Sequence, residues 1–568
     1  MAPQAAEAEE NVCLSTQRAR TNTAMPRPGS ALQILASLLW VPQAAFIVVA
    51  VGDVASGRLS HWCTWAPLAV LMIGVLRAVL DGIGSRLAFL SARKLATNLR
   101  LTAVAALEAR SPLDINRPEA GKAASVIAEQ ADLIVPYVAR FEIAKVRAVV
   151  VPLILLCFVL WFSWAAALVL VIAAPLIPVF MALIGWKAQE ASEAQLVKTG
   201  DMNAFLLDRL RGIATIRALG AVDVTANRIR ANAEALRIRT MTVLRIAFLS
   251  SAVLELFAAL GVAMVAVYVG FYLLGQLHFG TWGTQLGLGE GLFILLLAPA
   301  FFEPLRDLSM VWHDRASGRA AMEELNRLSN QGQEILGAKS KPGAIPTSPS
   351  APGISVNSLT FRHERDGAPV FDRSSLSIAS GEHVALLGPS GSGKSTLLGL
   401  LTGVIRPTSG TISIDGRVLT EDSAADIRTG IAWIGQHPHI FAGTFASNVA
   451  LGRSMGREQI AKALTFAKIG ALAKARGASP IGENGVGLSG GEALRLAIAR
   501  IAMQPRVGLI LADEPTAHLD AATAADIVDS LIALARGKTM IIATHDLTLA
   551  RRMDRIVRLD DSPLEEAA

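Results

Sequence analysis

The sequence predicts a six-helix transmembrane domain, its helices extended into the cytoplasm, fused to an α/β domain of the P-loop type. Three observations predict it. Six apolar stretches precede residue 315, at about 31–53, 62–84, 148–163, 165–185, 246–274 and 287–311. Further on, HVALLGPSGSGKSTLLGLL (383–401) reads as strand, glycine loop and helix start, and VGLILADEP (507–515) as a buried strand ending in two acids.

Composition supports the membrane half. The 568 residues carry 53 Lys+Arg against 47 Asp+Glu, a net charge of +6, yet only 18% are charged and 52% are hydrophobic, with a mean hydropathy of +0.45. Soluble chains carry roughly 25% charged residues, so part of this chain belongs in lipid. The base is no sign of nucleic-acid binding, because membrane proteins collect Lys and Arg in their cytoplasmic loops. Residues 1–30 lack the apolar core of a secretory signal and read as a disordered cytoplasmic tail. Cys13, Cys63 and Cys157 lie far apart and suit neither a disulfide framework nor a zinc site.

Each span needs roughly twenty apolar residues, and most of the six stretches supply them. The third and fourth nearly merge, with Ser163 and Trp164 as the candidate hairpin between them. The loops 86–147 and 187–245 hold many basic residues, among them Arg86, Arg93, Arg147, Arg228 and Arg245, whereas the alternate loops hold only Arg58. The positive-inside rule then places the long loops and both termini in the cytoplasm. Trp62, Trp65, Trp161, Trp164 and Trp282 fall at the outer interface, and Trp186 and Trp312 at the inner one, as an aromatic belt requires. The long loops have helical composition and are expected to continue the membrane helices into a stalk. The expected division is a tail at 1–30, a transmembrane domain at 31–325, a linker at 326–353 containing the Pro/Ser-rich run AKSKPGAIPTSPSAPG, and a nucleotide-binding domain at 354–568.

In the second half, Gly388, Gly393, Lys394 and Ser395 match G-x-x-x-x-G-K-[ST]. Glycines there let backbone N–H groups surround phosphates at a helix N-terminus, and Ser390, Gly391 and Thr396 belong to the same cradle. Lys394 is expected to reach the β/γ-phosphates, with Ser395 and Asp513 holding Mg²⁺ and Glu514 acting as general base on the attacking water.

LSGGE (488–492) lies between these two motifs, Gln436 follows GIAWIG, Leu519-Asp520 follows the acidic strand, and His545 follows KTMIIAT. With these in order over 354–560 the chain resembles an ABC-transporter ATPase. The resemblance implies that Gln436 contributes to the metal and the water, that His545 is the switch histidine and that Asp520 lies in the D-loop. It also implies a head-to-tail dimer in which Ser489, Gly490 and Gly491 of one half close over ATP held by the other. His363 stands where the family usually stacks an aromatic ring on adenine, which leaves base recognition open. His437, His439 and His518 read as loop residues rather than ligands.

Six spans joined N-terminal to one ATPase resemble an exporter half-transporter, and exclude the soluble ABC ATPases of DNA repair or translation. By analogy, loop tips near 110–120 and 211–220 transmit ATP-driven movement. Ionisable residues within spans are costly and functional by default. Arg77, Asp81, Glu255, Glu303 and Arg306, with Asp307 beside them, are therefore the substrate candidates. Their mixed charge suits a zwitterion; interhelical pairing, or Arg77 with Asp81 on one helix, is the competing reading.

The stretches 247–277 and 297–325 narrow the resemblance to the CydD family of bacterial heterodimeric exporters. That family implies a CydC-like partner half-transporter and export of glutathione and L-cysteine across the inner membrane in support of cytochrome bd assembly. Haem handling is a competing account for it, and His61, His278 and His313 are weak candidates as ligands. A lipid or hydrophobic-drug exporter of the same fold, and an ATP-gated channel or sensor, also remain open.

Overall fold

The computed structural model describes residues 28–55, 57, 62–114, 116–118, 120–177, 179–180, 205–206, 209, 212–283, 285–340, 351–363, 367–436, 438–482, 487–559 and 565–566. Most of the predicted tail, Cys13, His61, Trp186, His437, the start of the second cytoplasmic loop and the centre of the linker lie outside the described residues. The chain divides into two compact units that do not follow chain order. One runs up to Ala103 and resumes over Ala120–Arg327; the other comprises Val104–Glu119 and Leu328–Ala568.

The first unit is helical. Its main elements are α1 (Pro28–Leu38), α2 (Trp40–Ala55), α3 (Trp62–Ala109), α4 (Glu142–Phe162), α5 (Trp164–Ile177), α6 (Val222–Leu273), α7 (Leu288–Met310) and α8 (Trp312–Asn330), the last residues of α3 and α8 belonging to the second unit. Among the described residues five helical runs are long and apolar enough to cross a membrane: Pro28–Ala55, Trp65–Ala109, Ala120–Phe162, Ala252–Leu273 and Leu288–Asn330. The fourth predicted stretch begins as the shorter α5, and residues 181–185 of it lie outside the described set. The expected stalk helices are present, since α3 has 48 residues and α6 has 52. At 1.5 Å per residue each runs about 70–80 Å, far beyond a hydrocarbon core of about 30 Å.

Ser163 separates α4 from α5, with an extended backbone at φ −149° and ψ 117°. Its hydroxyl donates to Gly280 O at 2.7 Å and lies 3.1 Å from the Tyr268 hydroxyl, which donates to Phe279 O at 2.9 Å. Trp282 Nε1 donates to Leu160 O. A serine with this many local partners can end a helix inside an otherwise unbroken apolar run. In lipid such bonds also satisfy groups that water cannot reach. The helical core gathers on α7, where Ile294, Leu297, Ala298 and Phe302 are buried with Leu155, Leu170, Ala258 and Val265.

The second unit contains the α/β domain. A four-stranded antiparallel sheet of β1 (Ile354–Phe361), β2 (Phe371–Ile378), β4 (Ser409–Ile414) and β5 (Arg417–Val418) has the order β2-β1-β4-β5. The main sheet has the order β10-β9-β3-β8-β7-β6. Its strands are β3 (His383–Leu387), β6 (Ile431–Ile434), β7 (Leu509–Asp513), β8 (Thr539–Thr544), β9 (Arg555–Arg558) and a short β10 (Glu565–Glu566). All neighbours in it are parallel except β9 and β10. Every residue of β8 is buried, as a parallel sheet covered on both faces demands. The helices that matter to the site are α9 (Lys394–Leu401), α10 (Phe445–Ala450), α11 (Gly490–Ala502) and α12 (Ala521–Ala535).

Candidate functional site

The phosphate loop joins β3 to α9. Gly393 caps α9 in the left-handed region at φ +91°, where a Cβ would also stand 2.7 Å from Val370 Cγ1 and 2.9 Å from Phe371 Cζ. Only glycine meets both conditions. Lys394 is buried, and its ammonium donates to Gly388 O and Pro389 O at 2.8 Å, which folds the loop round its own lysine. Ser390 and Gly391 stand exposed at the mouth of the loop, and Ser395 and Thr396 open the helix.

β7 lies two strands from β3, across β8, and ends at Asp513. Burial pushes the Asp513 carboxyl above the usual range, opposed by a hydrogen bond from Ser395, reinforced by Glu514 and opposed again by Lys394. Asp513 Oδ1 and Ser392 Oγ are buried with no hydrogen-bond partner. The Asp513 carboxylate, with one oxygen orphaned and Ser395 hydrogen-bonded to it, is the oxygen donor set that Mg²⁺ takes, so Asp513 and Ser395 fit the ion. Glu514 follows at φ +44°, a left-handed backbone unusual for a side chain of its size, with its N–H held by Ala543 O at 2.9 Å. Its carboxylate lies 3.8 Å from Lys394 Nζ and 3.5 Å from His545 Nδ1, and His545 is largely exposed. Lys394, Asp513, Glu514 and His545 thus form one cluster at the C-terminal ends of parallel strands, where open α/β sheets place their ligands.

The remaining predicted residues stand apart from that cluster. Ser489 caps α11 reciprocally with Glu492: Ser489 N–H donates to Glu492 Oε2 at 2.7 Å, and Glu492 N–H donates to Ser489 Oγ at 3.3 Å. Gly490 is exposed at the same helix start, and Gly491 is buried where a Cβ would meet Thr523 of α12 at 2.6 Å. Among the described residues the side-chain hydrogen bonds of Ser489 stay within this cap. Asp520 caps α12 through Thr523 N–H at 2.9 Å, and bonds to Thr523 hold its carboxyl below the usual range. Gln436 lies on the loop after β6. His363 is exposed and sits edge-on to Phe361, ring centroids 5.0 Å apart.

Sequence reasoning missed the side chain that anchors the Gln436 loop. Asn448 of α10 is wholly buried; its oxygen accepts from Phe441 N–H at 3.0 Å and Arg500 Nη2 at 2.6 Å, and its amide donates to Phe441 O and Thr444 O. Arg500, on α11, also donates to Asn448 O and to His439 O, and burial pulls its pKa down from the ordinary value. The segment after Gln436 is thereby tied to the helix that begins with the LSGGE motif. Nothing in the sequence pairs an asparagine with an arginine 52 positions away.

In the membrane half the candidate charges other than Asp81 are paired. Arg77 lies 3.9 Å from Glu303 and over the Trp40 ring, and Arg306 lies 3.0 Å from Glu255. Arg147 lies 3.3 Å from Asp307 and donates to Ser37, a contact the sequence did not single out. The acid that meets Arg77 is therefore Glu303 on another helix and not Asp81 one turn away; Asp81 has no ion pair among the described residues. The three pairs reach from α7 to three different helices. Glu303 and Glu255 remain half-exposed or more.

Comparison with known proteins gives two family matches: the ABC transporter transmembrane region over residues 30–288 and the ABC transporter domain over residues 371–517. The chain is 34% identical over 531 residues to the transport ATP-binding protein AarD of Providencia stuartii, covering 92% of this chain and 89% of that one. It is 35% identical to the glutathione/L-cysteine transport system ATP-binding/permease protein CydD of Haemophilus influenzae, over 86% and 82% of the two chains. CydC of Bacillus subtilis, named for the same transport system, is 32% identical, and an ATP-dependent lipid A-core flippase of Photobacterium profundum 28%. A solved bacterial Atm1-family ABC exporter with ATP bound superposes with a TM-score of 0.75 at 23% identity, covering 95% of this chain and 94% of that one.

Proposed function

Because the chain belongs to the ABC transporter family, as an exporter half-transporter whose ATPase couples hydrolysis to transport, we propose that its cargo is a small thiol, glutathione or L-cysteine. In this reading a CydC-like half-transporter completes the machine in the bacterial inner membrane. Both termini lie in the cytoplasm, and export to the periplasm supports cytochrome bd assembly. The observation that carries the reading is the 35% identity to CydD over most of both chains, against 28% for the flippase. The ion pairs on α7 support it, since a zwitterion can exchange into a half-exposed Arg–carboxylate pair and a purely apolar cargo cannot.

The site residues take the following roles. Lys394 and the loop amides from Gly388 to Thr396 bind the phosphates of ATP, with the positive end of α9 behind them. Ser395, Asp513 and Gln436 hold Mg²⁺, which when bound neutralises charge developing on the β- and γ-phosphate oxygens. Glu514 takes the proton of the attacking water, its carboxylate standing 3.8 Å from the Lys394 ammonium of the loop. His545, 3.5 Å from Glu514, orients that carboxylate and senses the γ-phosphate. His363 stacks on the adenine. Ser489, Gly490 and Gly491 close on the nucleotide held by the other half, and Asp520 borders that joint. The Ser489–Glu492 cap satisfies two backbone donors at the start of α11.

The test is ATP-dependent uptake of labelled glutathione and cysteine into inside-out vesicles containing this chain and its native partner, with haemin and a labelled lipid as parallel arms. Thiol uptake is expected. Intact ATP hydrolysis without thiol uptake would overturn the assignment, and uptake in another arm would replace it.

A further inference from the structure

Two irregular helix segments meet at the end of α7. Ahead of α4, Tyr137–Phe141 winds as a single π turn, and α7 stops at Met310 so that the polar helix α8 restarts at Trp312. Aromatic contact joins them. The buried Phe141 ring stands edge-on to Trp312 with centroids 5.9 Å apart, and stacks on Tyr137 at the same separation. Gly318 lets α8 come this close, since a Cβ there would stand 2.2 Å from Tyr137 Cβ and 3.1 Å from Leu133 O.

Arg315 lies over this seam. Its guanidinium carbon is 5.9 Å from the Phe141 ring centre and 5.3 Å from that of Trp312, and it has no hydrogen bond or ion pair among the described residues. Arg319, one turn further along α8, is exposed and equally unpaired there, and both arginines lie close enough to Tyr137 for their charge to act on its hydroxyl. The exposed Arg140 belongs to the π turn itself. The acids nearby are Glu142, which accepts from the Tyr137 hydroxyl and lies 4.0 Å from Lys145, and Asp314 in the first turn of α8. Arg140, Lys145, Arg315 and Arg319 therefore outnumber Glu142 and Asp314, and the surplus is positive.

The depth suits a lipid headgroup. At 1.5 Å per residue Arg315 and Arg319 stand about 8 and 14 Å beyond Met310, while headgroups occupy about 5–7 Å on each side of the hydrocarbon. Side chains on a helix lean toward its N-terminus, which for α8 is the end joined to α7, so both arginines reach back toward the bilayer. A guanidinium whose flat face rests on aromatic rings still offers N–H groups along its edge, and that fork matches the oxygens of a phosphate.

We propose that Arg315 and Arg319, seated on the seam of Phe141 and Trp312, form a binding site for the phosphate headgroup of an anionic phospholipid at the junction of α7 and α8. Phosphatidylethanolamine carries the same phosphate with a compensating ammonium, so the positive surplus selects lipids of net negative charge. The inference rests on α7 crossing the bilayer and not on the cargo.

The experiment uses the full transporter with its native partner, titrated with phosphatidylglycerol or with phosphatidylethanolamine while native mass spectrometry counts the lipids bound. Arg315→Gln, Arg319→Gln, their double variant and Arg315→Lys are compared with wild type, and basal ATP hydrolysis checks that each assembly is intact. The double variant should lose one tightly bound phosphatidylglycerol per transporter. Each glutamine should weaken that lipid by about fivefold and the two together by about 25-fold, the worth of one headgroup-facing cation apiece. Arg315→Lys keeps the charge and should bind more tightly than Arg315→Gln, and phosphatidylethanolamine binding should not change. Should the double variant fail to assemble, Arg319→Gln at its exposed position carries the same test. Unchanged phosphatidylglycerol binding in the variants would overturn the proposal. An equal loss of phosphatidylethanolamine would do so as well, by making the seam a general lipid contact, and displacement by millimolar inorganic phosphate would make it a site for soluble anions. If thiol uptake fails while the lipid result holds, the cargo assignment falls and the lipid site stands.

Discussion

Replacing Asn448 by alanine removes one buried side chain and strands several partners at once. The asparagine oxygen serves Phe441 N–H and one arm of the Arg500 guanidinium, and its amide serves two carbonyls, all in a site where Asn448 is 0% exposed. Each buried polar group left without a partner costs about 1–3 kcal/mol, and a charged one more. Water entering the new gap recovers part of this, which leaves a loss of about 3–5 kcal/mol. For a domain of this size about 1 kcal/mol corresponds to a shift of roughly 2–4 °C, so the thermal transition of the ATPase unit should fall by about 10 °C. Differential scanning fluorimetry of the purified transporter reads that shift. ATP turnover should fall with it below the transition, because the loop carrying Gln436 loses its anchor on α11. The sharper check is a cycle with Arg500→Met. Once the guanidinium is gone, the asparagine oxygen is worth less, and the double variant should be more stable than the sum of the single losses by at least about 1 kcal/mol. A drop below about 2 °C in Asn448→Ala, or strict additivity in the cycle, would refute the reasoning.

Glu514→Gln should bind labelled ATP like the wild type while hydrolysis and transport fall by about 10²–10⁴-fold, the usual worth of a general base; transport at the wild-type rate would remove Glu514 from that role. Glu303→Gln and Arg77→Met should raise the half-saturating thiol concentration in vesicle uptake by at least about tenfold with basal hydrolysis preserved, and an unchanged value in both would leave their pair purely structural. The Asp114 carboxyl is held below the usual range: burial raises it, but the bonds from Arg110, Asn116 and Gln333 outweigh burial. For a depressed carboxylate the stabilisation is complete above the unfolded value of about 3.9 and is lost as pH falls through the folded one. Beside it, Ser111 N–H donates to Gln333 O and Ile335 N–H to Ala109 O. Hydrogen-exchange protection of these two amides, corrected for intrinsic rates, should therefore match at pH 7 and pH 5, and a loss of protection by pH 5 would contradict this account of Asp114.

What the sequence disclosed was what short-range chemistry encodes. The phosphate loop, the acidic strand and the LSGGE turn are each contiguous, and the strands beside them are apolar runs because both faces of a parallel sheet are covered. Ser163 was legible as a break because nothing else polar interrupts its run. The pairing of Arg77 with Glu303 was not, since the two are more than two hundred positions apart and an acid one turn away offered a simpler partner. Ser30, Gln33 and Ser37 all lie buried on α1, with Ser37 receiving Arg147, yet they are too sparse to lower the hydropathy of that span. The tip near 110–120 was legible as a loop, but the bond of Asp114 to Gln333 was not, since the two stand 219 positions apart and Gln333 lies in a stretch that composition alone describes as a linker.

The left-handed backbone at Glu514 sets stability against turnover. A residue with a Cβ held there stores of order 1 kcal/mol, which the strand and its neighbours must offset. Glycine at 514 would relieve that strain and lose the carboxylate in the same step. Selection for a hardier fold and selection for a faster pump therefore pull on this one position in opposite directions. Screens that reward thermal tolerance alone should drift toward inactive proteins there first.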